Sequence, residues 1–153
     1  VEKILDKANM KYEQIIFPTK QEGDVEQLQV DHLKEDEHRI YKTLALTGNK
    51  TGPLVGVLPI DEHLSYKKLA KASGNKKVGM IPLKELVKTT GYEHGANTPI
   101  GIYETKHFPI YISDIAQKQG KIIVSSGKIG RSIKIDANDL KKLVHATFSD
   151  LTE

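Results

Sequence analysis

Apolar positions recur along the chain in two rhythms, one close to two residues and one close to 3.6, and the switches between them predict the elements. Ile4, Leu5 and Ala8 share helical spacing within Val1–Met10. Glu13 to Phe17 reads as a short strand stopped by Pro18. The acidic stretch that follows is predicted as a helix, with Val25, Leu28 and His32 facing inward. Arg39 to Thr47 and Leu54 to Pro59 are apolar strands around Gly48-Asn49-Lys50-Thr51-Gly52-Pro53, so a hairpin is expected. Ser65 can cap a helix that runs to Ser73 and stops at Gly74 in the left-handed region. Val78 to Ile81 is a strand, Pro82 suits the first turn of a second helix, and Gly91 ends it.

Beyond that point the pattern changes. Thr90 to Gly101 is a glycine-rich loop, too long for a plain turn. Pro109–Ser113, Lys121–Ser126 and Arg131–Ile135 read as strands, and Asp136 with Asp139 resembles a capping box that opens a helix from Ala137 to His145. Strands and helices are interspersed, yet some strand links have hairpin length. The expected class is therefore α/β (α+β): a mixed, partly closed, barrel-like β-sheet flanked by helices, rather than a doubly wound parallel sheet. No internal repeat or linker divides the 153 residues, which predicts one domain over 1–153.

Composition narrows the chemistry. With no Cys, thiolate nucleophiles, disulfides, Cys-ligated zinc and iron–sulfur clusters are excluded together, and a reducing, cytoplasmic setting is expected. The longest apolar stretch, Pro53 to Ile60, is far short of the roughly 20 residues that span a bilayer, so no membrane partner is expected. No leader pattern is visible, although the chain opens at Val1 rather than Met, so its absence carries little weight.

Net charge is only +3, but the signs are segregated. Between Glu22 and His38 seven acids face one base, and between Lys67 and Lys142 fifteen bases face six acids. Such a chain can offer a basic face to a polyanion. Aromatic residues are sparse among those bases, so stacking on nucleobases is not written into the linear pattern.

Several reaction classes fail on spacing. Gly48-Asn49-Lys50-Thr51 lacks the glycine spacing of a phosphate-binding loop, no glycine pair has dinucleotide-fold spacing, and no Ser sits in a nucleophile elbow. The six His are scattered, so no metal site is expected. Asp36-Glu37-His38 and Asp61-Glu62-His63 repeat a tripeptide whose neighbours point apart, which reads as solvated surface. What remains is Lys42 and two glycine-containing loops. Strict alternation places Lys42 with Ile40, Leu44 and Leu46 on the apolar side of its strand, opposite Tyr41, Thr43 and Ala45. A lysine there either binds an anionic ligand or snorkels to water. The Gly91–Gly101 loop either brings backbone amides to a ligand or is a long connection. Ser125-Ser126-Gly127-Lys128-Ile129-Gly130 leaves its strand in the same style.

Taken in order, Tyr41-Lys42-Thr43-Leu44, Leu69-Ala70-Lys71-Ala72 with Lys76-Lys77-Val78, Thr90-Gly91-Tyr92 through Gly95 to Thr98-Pro99-Ile100-Gly101, and Val124-Ser125 with Gly127-Lys128 and Gly130 resemble the YbaK/EbsC family of aminoacyl-tRNA deacylases, relatives of the editing domain of prolyl-tRNA synthetase. The resemblance implies that editing-domain fold, no metal or other cofactor, and removal of a wrongly attached amino acid from tRNA, typically Cys from tRNA for proline. A second site is needed because Pro, Cys and Ala differ by about 1–3 kcal/mol of pocket discrimination per methylene.

By the same resemblance Lys42 anchors the 3′-terminal nucleotide, and the backbone of Gly95 fixes the ester carbonyl or its oxyanion; both count as catalytic. Phe17, Thr43, Ala96, Thr98, Ser125 and Ser132 are expected to line the substrate site, and Lys67, Lys68, Lys71, Lys76, Lys77, Lys128 and Arg131 to meet RNA phosphates. The aminoacyl-tRNA 3′ end is the expected partner, with prolyl-tRNA synthetase a second. A bound cysteine would attack with its own thiol, and another amino acid would need a positioned water. Phe17 stands where the family has Tyr, Ala96 and Asn97 replace a glycine and an apolar residue, Ser126 replaces a glycine, and Ser132 replaces an aspartate. The changes at 17, 96, 126 and 132 motivate one alternative, a non-catalytic tRNA-binding module or regulator on the same fold; another is a deacylase for another mischarged amino acid, such as Ala, that uses water.

Overall fold

The computed structural model describes residues 12–16, 19–22, 25–28, 39–92, 97–128 and 131–153. The predicted helix at Val1–Met10 lies outside them. The hairpin forms as expected, with β4 (Tyr41–Gly48) antiparallel to β5 (Gly52–Pro59) and Gly48 opposite Gly52. Three short strands precede it: β1 (Tyr12–Ile16), β2 (Thr19–Glu22) and β3 (Val25–Leu28). Here the prediction is corrected. Val25–Leu28 is a strand paired antiparallel with β2, not part of a helix. An apolar pair three residues apart fits either element, and the pairing with β2 decides it.

The two cap signals hold. Ser65 caps α1 (Tyr66–Ser73) by accepting from the Lys68 amide, and Gly74 ends it at φ 78°. Asp136 caps α5 (Ala137–Val144) by accepting from the amides of Asn138 and Asp139. β6 (Val78–Met80) leads through Pro82 to α2 (Leu83–Thr90), closed by Gly91 at φ 84°.

The glycine-rich loop is shorter than expected, because Pro99 opens a helix, α3 (Pro99–Lys106), that includes Gly101. A side chain at Gly101 would collide with Tyr92, and one at Gly127 would press on the same ring. Those two glycines therefore let Tyr92 pack between α3 and β8 (Lys121–Lys128). β7 (Ile110–Ser113), the short α4 (Ile115–Gln119), β9 (Arg131–Asp136) and β10 (Thr147–Ser149) complete the chain; α4 and β10 were not foreseen.

A five-stranded sheet runs β10-β7-β5-β4-β6, with β7 parallel to both β5 and β10, a three-stranded sheet runs β1-β9-β8, and β2 and β3 form a two-stranded sheet. Among the described residues the two larger sheets meet at a single bridge, Ile40 to Ile123, and do not close into one barrel. The large sheet is buried on both faces. Leu46, Leu54 and Leu58 pack toward Leu69 and Ala70 of α1, while Val55 and Val57 join Ile122, Ile133 and Leu140 on the other side. Strands enclosed in this way read as continuous apolar runs, which is why β5 shows no alternation.

Candidate functional site

The site forms where an edge of β4 changes partner. At Ile40 the strand bridges β8, and from Leu46 onward it pairs with β6, whose neighbour Ile81 donates its amide to the Ala45 carbonyl 3.2 Å away. Between these contacts Lys42–Leu44 has no strand partner on that edge among the described residues. A cavity of about 480 Å³ occupies the gap. Ile81, Leu83 and Leu86 form one wall, and Ser125, Arg131 and Ser132 of the smaller sheet form another.

Of the expected residues, Lys42, Thr43, Ser125, Ser132 and Arg131 come together there. Ser125 and Ser132 are direct cross-strand partners, so their hydroxyl side chains sit as neighbours on one face. Thr43 is 8% exposed, and its buried hydroxyl has no hydrogen-bond partner. A buried hydroxyl left unpaired costs about 1–3 kcal/mol, and in a cavity wall it is a group that a bound molecule can meet.

Lys42 lies on the side of β4 that alternation implied, with Leu44, but that side is not the more deeply buried of the two. Tyr41, Thr43 and Ala45 form the more deeply buried face, and Lys42 and Leu44 are half-buried. Burial on both sides of the sheet removes the polar face that the alternation rule assumes. The Lys42 Nζ donates to the Glu62 carbonyl at 2.6 Å. An ammonium has three protons, so this bond orients the group and leaves donors for an anionic ligand. Partial burial lowers the Lys42 pKa from 10.5, opposed by the nearby Asp61 and Glu62 carboxylates.

Thr98 is not in the cavity wall. It is fully buried at the start of α3, and its hydroxyl caps no amide. Its neighbour Asn97 does line the cavity, which the pattern of the sequence missed except as a departure from a family motif. Asn97 is held by Thr90, whose hydroxyl lies 3.1 Å from the Asn97 Oδ1 and 3.0 Å from the Leu86 carbonyl. Phe17, Gly95 and Ala96 lie outside the described residues, as does the side chain of Lys128.

The expected RNA-binding lysines divide into groups. Lys67, Lys76 and Lys77 border a second hollow of about 470 Å³ with Tyr66 and Met80. Lys68 instead pairs with Asp150 at 2.8 Å and donates to the Thr152 carbonyl at 2.7 Å. Its partner holds the Asp150 carboxyl below its ordinary 3.8. Lys71 is exposed in the last turn of α1 and borders none of these hollows. Among the described residues no group of three or more His, Asp or Glu gathers as metal ligands do, and no helix is long and apolar enough to cross a membrane.

The family model of the aminoacyl-tRNA editing domain matches residues 19–143. A protein of Enterococcus faecalis, provisionally named the Cys-tRNA(Pro)/Cys-tRNA(Cys) deacylase EbsC, is 48% identical over 117 residues, 76% of this chain and 70% of its own length. Among solved structures, a hypothetical protein matches with TM-score 0.83 at 19% identity, covering 99% of this chain and 98% of its own. Another, described provisionally as a trans-editing enzyme for prolyl-tRNA synthetase, matches with TM-score 0.79 at 18% identity, covering 99% and 94%. At those identities the two structures establish the shared fold.

Proposed function

As the chain belongs to the aminoacyl-tRNA editing domain family, we propose that it is a trans-acting deacylase that removes Cys from Cys-tRNA(Pro). The observation that carries this reading is the gap beside β4, where Lys42, Thr43, Ser125 and Ser132 line one small cavity and the Thr43 hydroxyl lacks a partner. Lys42, oriented by the Glu62 carbonyl, holds the terminal nucleotide through charge-assisted hydrogen bonds. The three hydroxyl side chains hold the aminoacyl group against the unpaired edge.

No protein nucleophile is required in this scheme. The cysteine sulfur attacks the ester carbonyl carbon, a carbon–sulfur bond forms, and the bond to the ribose oxygen breaks. The thiol proton ends on the ribose hydroxyl and the amino acid leaves as a cyclic thioester. The Gly95 backbone is assigned to the developing oxyanion on family resemblance. The reaction belongs in the cytoplasm, beside prolyl-tRNA synthetase.

Release of labelled amino acid from Cys-tRNA(Pro) and Ala-tRNA(Pro), with Pro-tRNA(Pro) as control, tests the substrate. Release of Cys alone supports the thiol route. Release of Ala moves the chemistry to water, and release of neither leaves a tRNA-binding module on an editing fold.

A further inference from the structure

The cavity beside β4 and two further hollows share walls in a row, called the trough below. A middle hollow of about 460 Å³ shares Lys42, Leu44 and Met80 with that cavity, and shares Tyr66 and Met80 with the hollow of Lys67, Lys76 and Lys77. Met80 borders all three. It is 42% exposed and Tyr66 is 46% exposed, an unusual placement for two large apolar side chains on one wall.

The backbone of two lysines at the far end is held in place. Asn49 Oδ1 accepts from the amides of Lys76 and Lys77 at 2.8 and 3.0 Å, and the Asn49 amide donates to the Lys77 carbonyl. Asn75 in turn accepts from the amides of Lys50 and Thr51. The hairpin turn and the α1–β6 link thus clamp each other, and the lysine pair is presented from a fixed backbone.

We propose that this trough holds the single-stranded 3′ end of the tRNA, with an unpaired base stacked on Tyr66 and the phosphates behind it on Lys67, Lys76 and Lys77. The inference rests on the deacylase reading for what lies in the cavity at its inner end. Three features select this ligand: exposed cations, two of them on a clamped backbone, that suit a phosphate chain, a half-exposed ring able to stack on a base, and walls shared with the aminoacyl cavity. The middle hollow is bordered by His63, Glu153 and a single lysine, Lys42, at the inner end, so sugar and base rather than a run of phosphates cross there.

The test is binding of uncharged tRNA(Pro), intact and with its 3′-terminal CCA removed, to wild type, Tyr66→Ala and Tyr66→Phe. Melting temperatures confirm that each variant is folded. Tyr66→Ala should weaken intact tRNA about tenfold, leave trimmed tRNA unchanged, and be rescued by Tyr66→Phe. Equal binding of intact tRNA by wild type and Tyr66→Ala overturns the proposal, as does an equal loss on intact and trimmed tRNA. Amino acid release by the same wild-type preparation separates the two readings. Release with no Tyr66 effect removes the trough alone, whereas a CCA-dependent Tyr66 effect without release keeps the trough and removes the deacylase.

Discussion

The two ends of the trough are built from opposite materials. At the inner end, a half-buried lysine and three hydroxyl side chains sit among apolar walls, and Lys42 is pinned by one carbonyl 2.6 Å away. At the outer end, three lysines stand in water, Lys76 and Lys77 on a backbone clamped by Asn49 and Lys67 on α1. Low dielectric makes each polar group at the inner end strong and specific, whereas water screens the outer charges and makes them additive and salt-sensitive. On the proposed reading, orientation and chemistry belong to one end and capture of the nucleic acid to the other.

The sharpest way to break that division is Lys42→Ala. Release of the amino acid should fall on the order of 100-fold, and unfolding should stay close to wild type because the lysine contributes one carbonyl contact. Thr43→Val comes next. It should slow release by about tenfold if the hydroxyl meets substrate, and raise stability by about 1 kcal/mol, because it removes a buried unpaired group. Calorimetry beside the release assay detects this opposite movement. If activity falls together with stability, the hydroxyl is structural.

Replacing Lys67, Lys76 and Lys77 by Gln should lower the slope of log affinity against log salt by about 2, at roughly 0.7 per phosphate contact. An unchanged slope removes these residues from the RNA surface. The alkaline limb of the rate should fall at a pH below 10.5, because burial makes the Lys42 ammonium lose its proton earlier than an ordinary lysine. Lys42→Arg should move that limb upward. The smallest effect is expected at Asp150. Its carboxyl is held below 3.8 by Lys68, so the stability it contributes is full above that pH and disappears as pH falls through the depressed value. The melting difference between wild type and Asp150→Asn should close on acidification, with little change in tRNA binding.

Local chemistry made much of the fold legible. Ser65 with Gly74, Asp136 with its two amides, and the Gly48–Pro53 turn each encode an element within a few residues. The failures share a cause outside the segment. Val25–Leu28 needed β2 to declare itself a strand, and the three residues of β10 needed β7. In α3, Gly101 masks the start of a helix because it serves the Tyr92 ring rather than a turn.

The site divides in the same way. Thr43, Ser125 and Ser132 were reached through motif resemblance, and the structure gathers them in one cavity. Alternation grouped Lys42 with Leu44 correctly but not the depth of the opposite side, Tyr41, Thr43 and Ala45, since a strand buried on both faces has no polar side to mark the contrast. Asn97 entered the wall through its tie to Thr90, a contact that linear spacing does not show.

A single kinetic comparison decides whether the two ends divide the work: release from Cys-tRNA(Pro) by Lys42→Ala and by the Lys67, Lys76 and Lys77 to Gln variant, each measured to saturation. Lys42→Ala should lower kcat, while the triple variant should raise KM and keep kcat near wild type. A triple variant that loses kcat while Lys42→Ala retains it would place the chemistry at the wrong end of the trough.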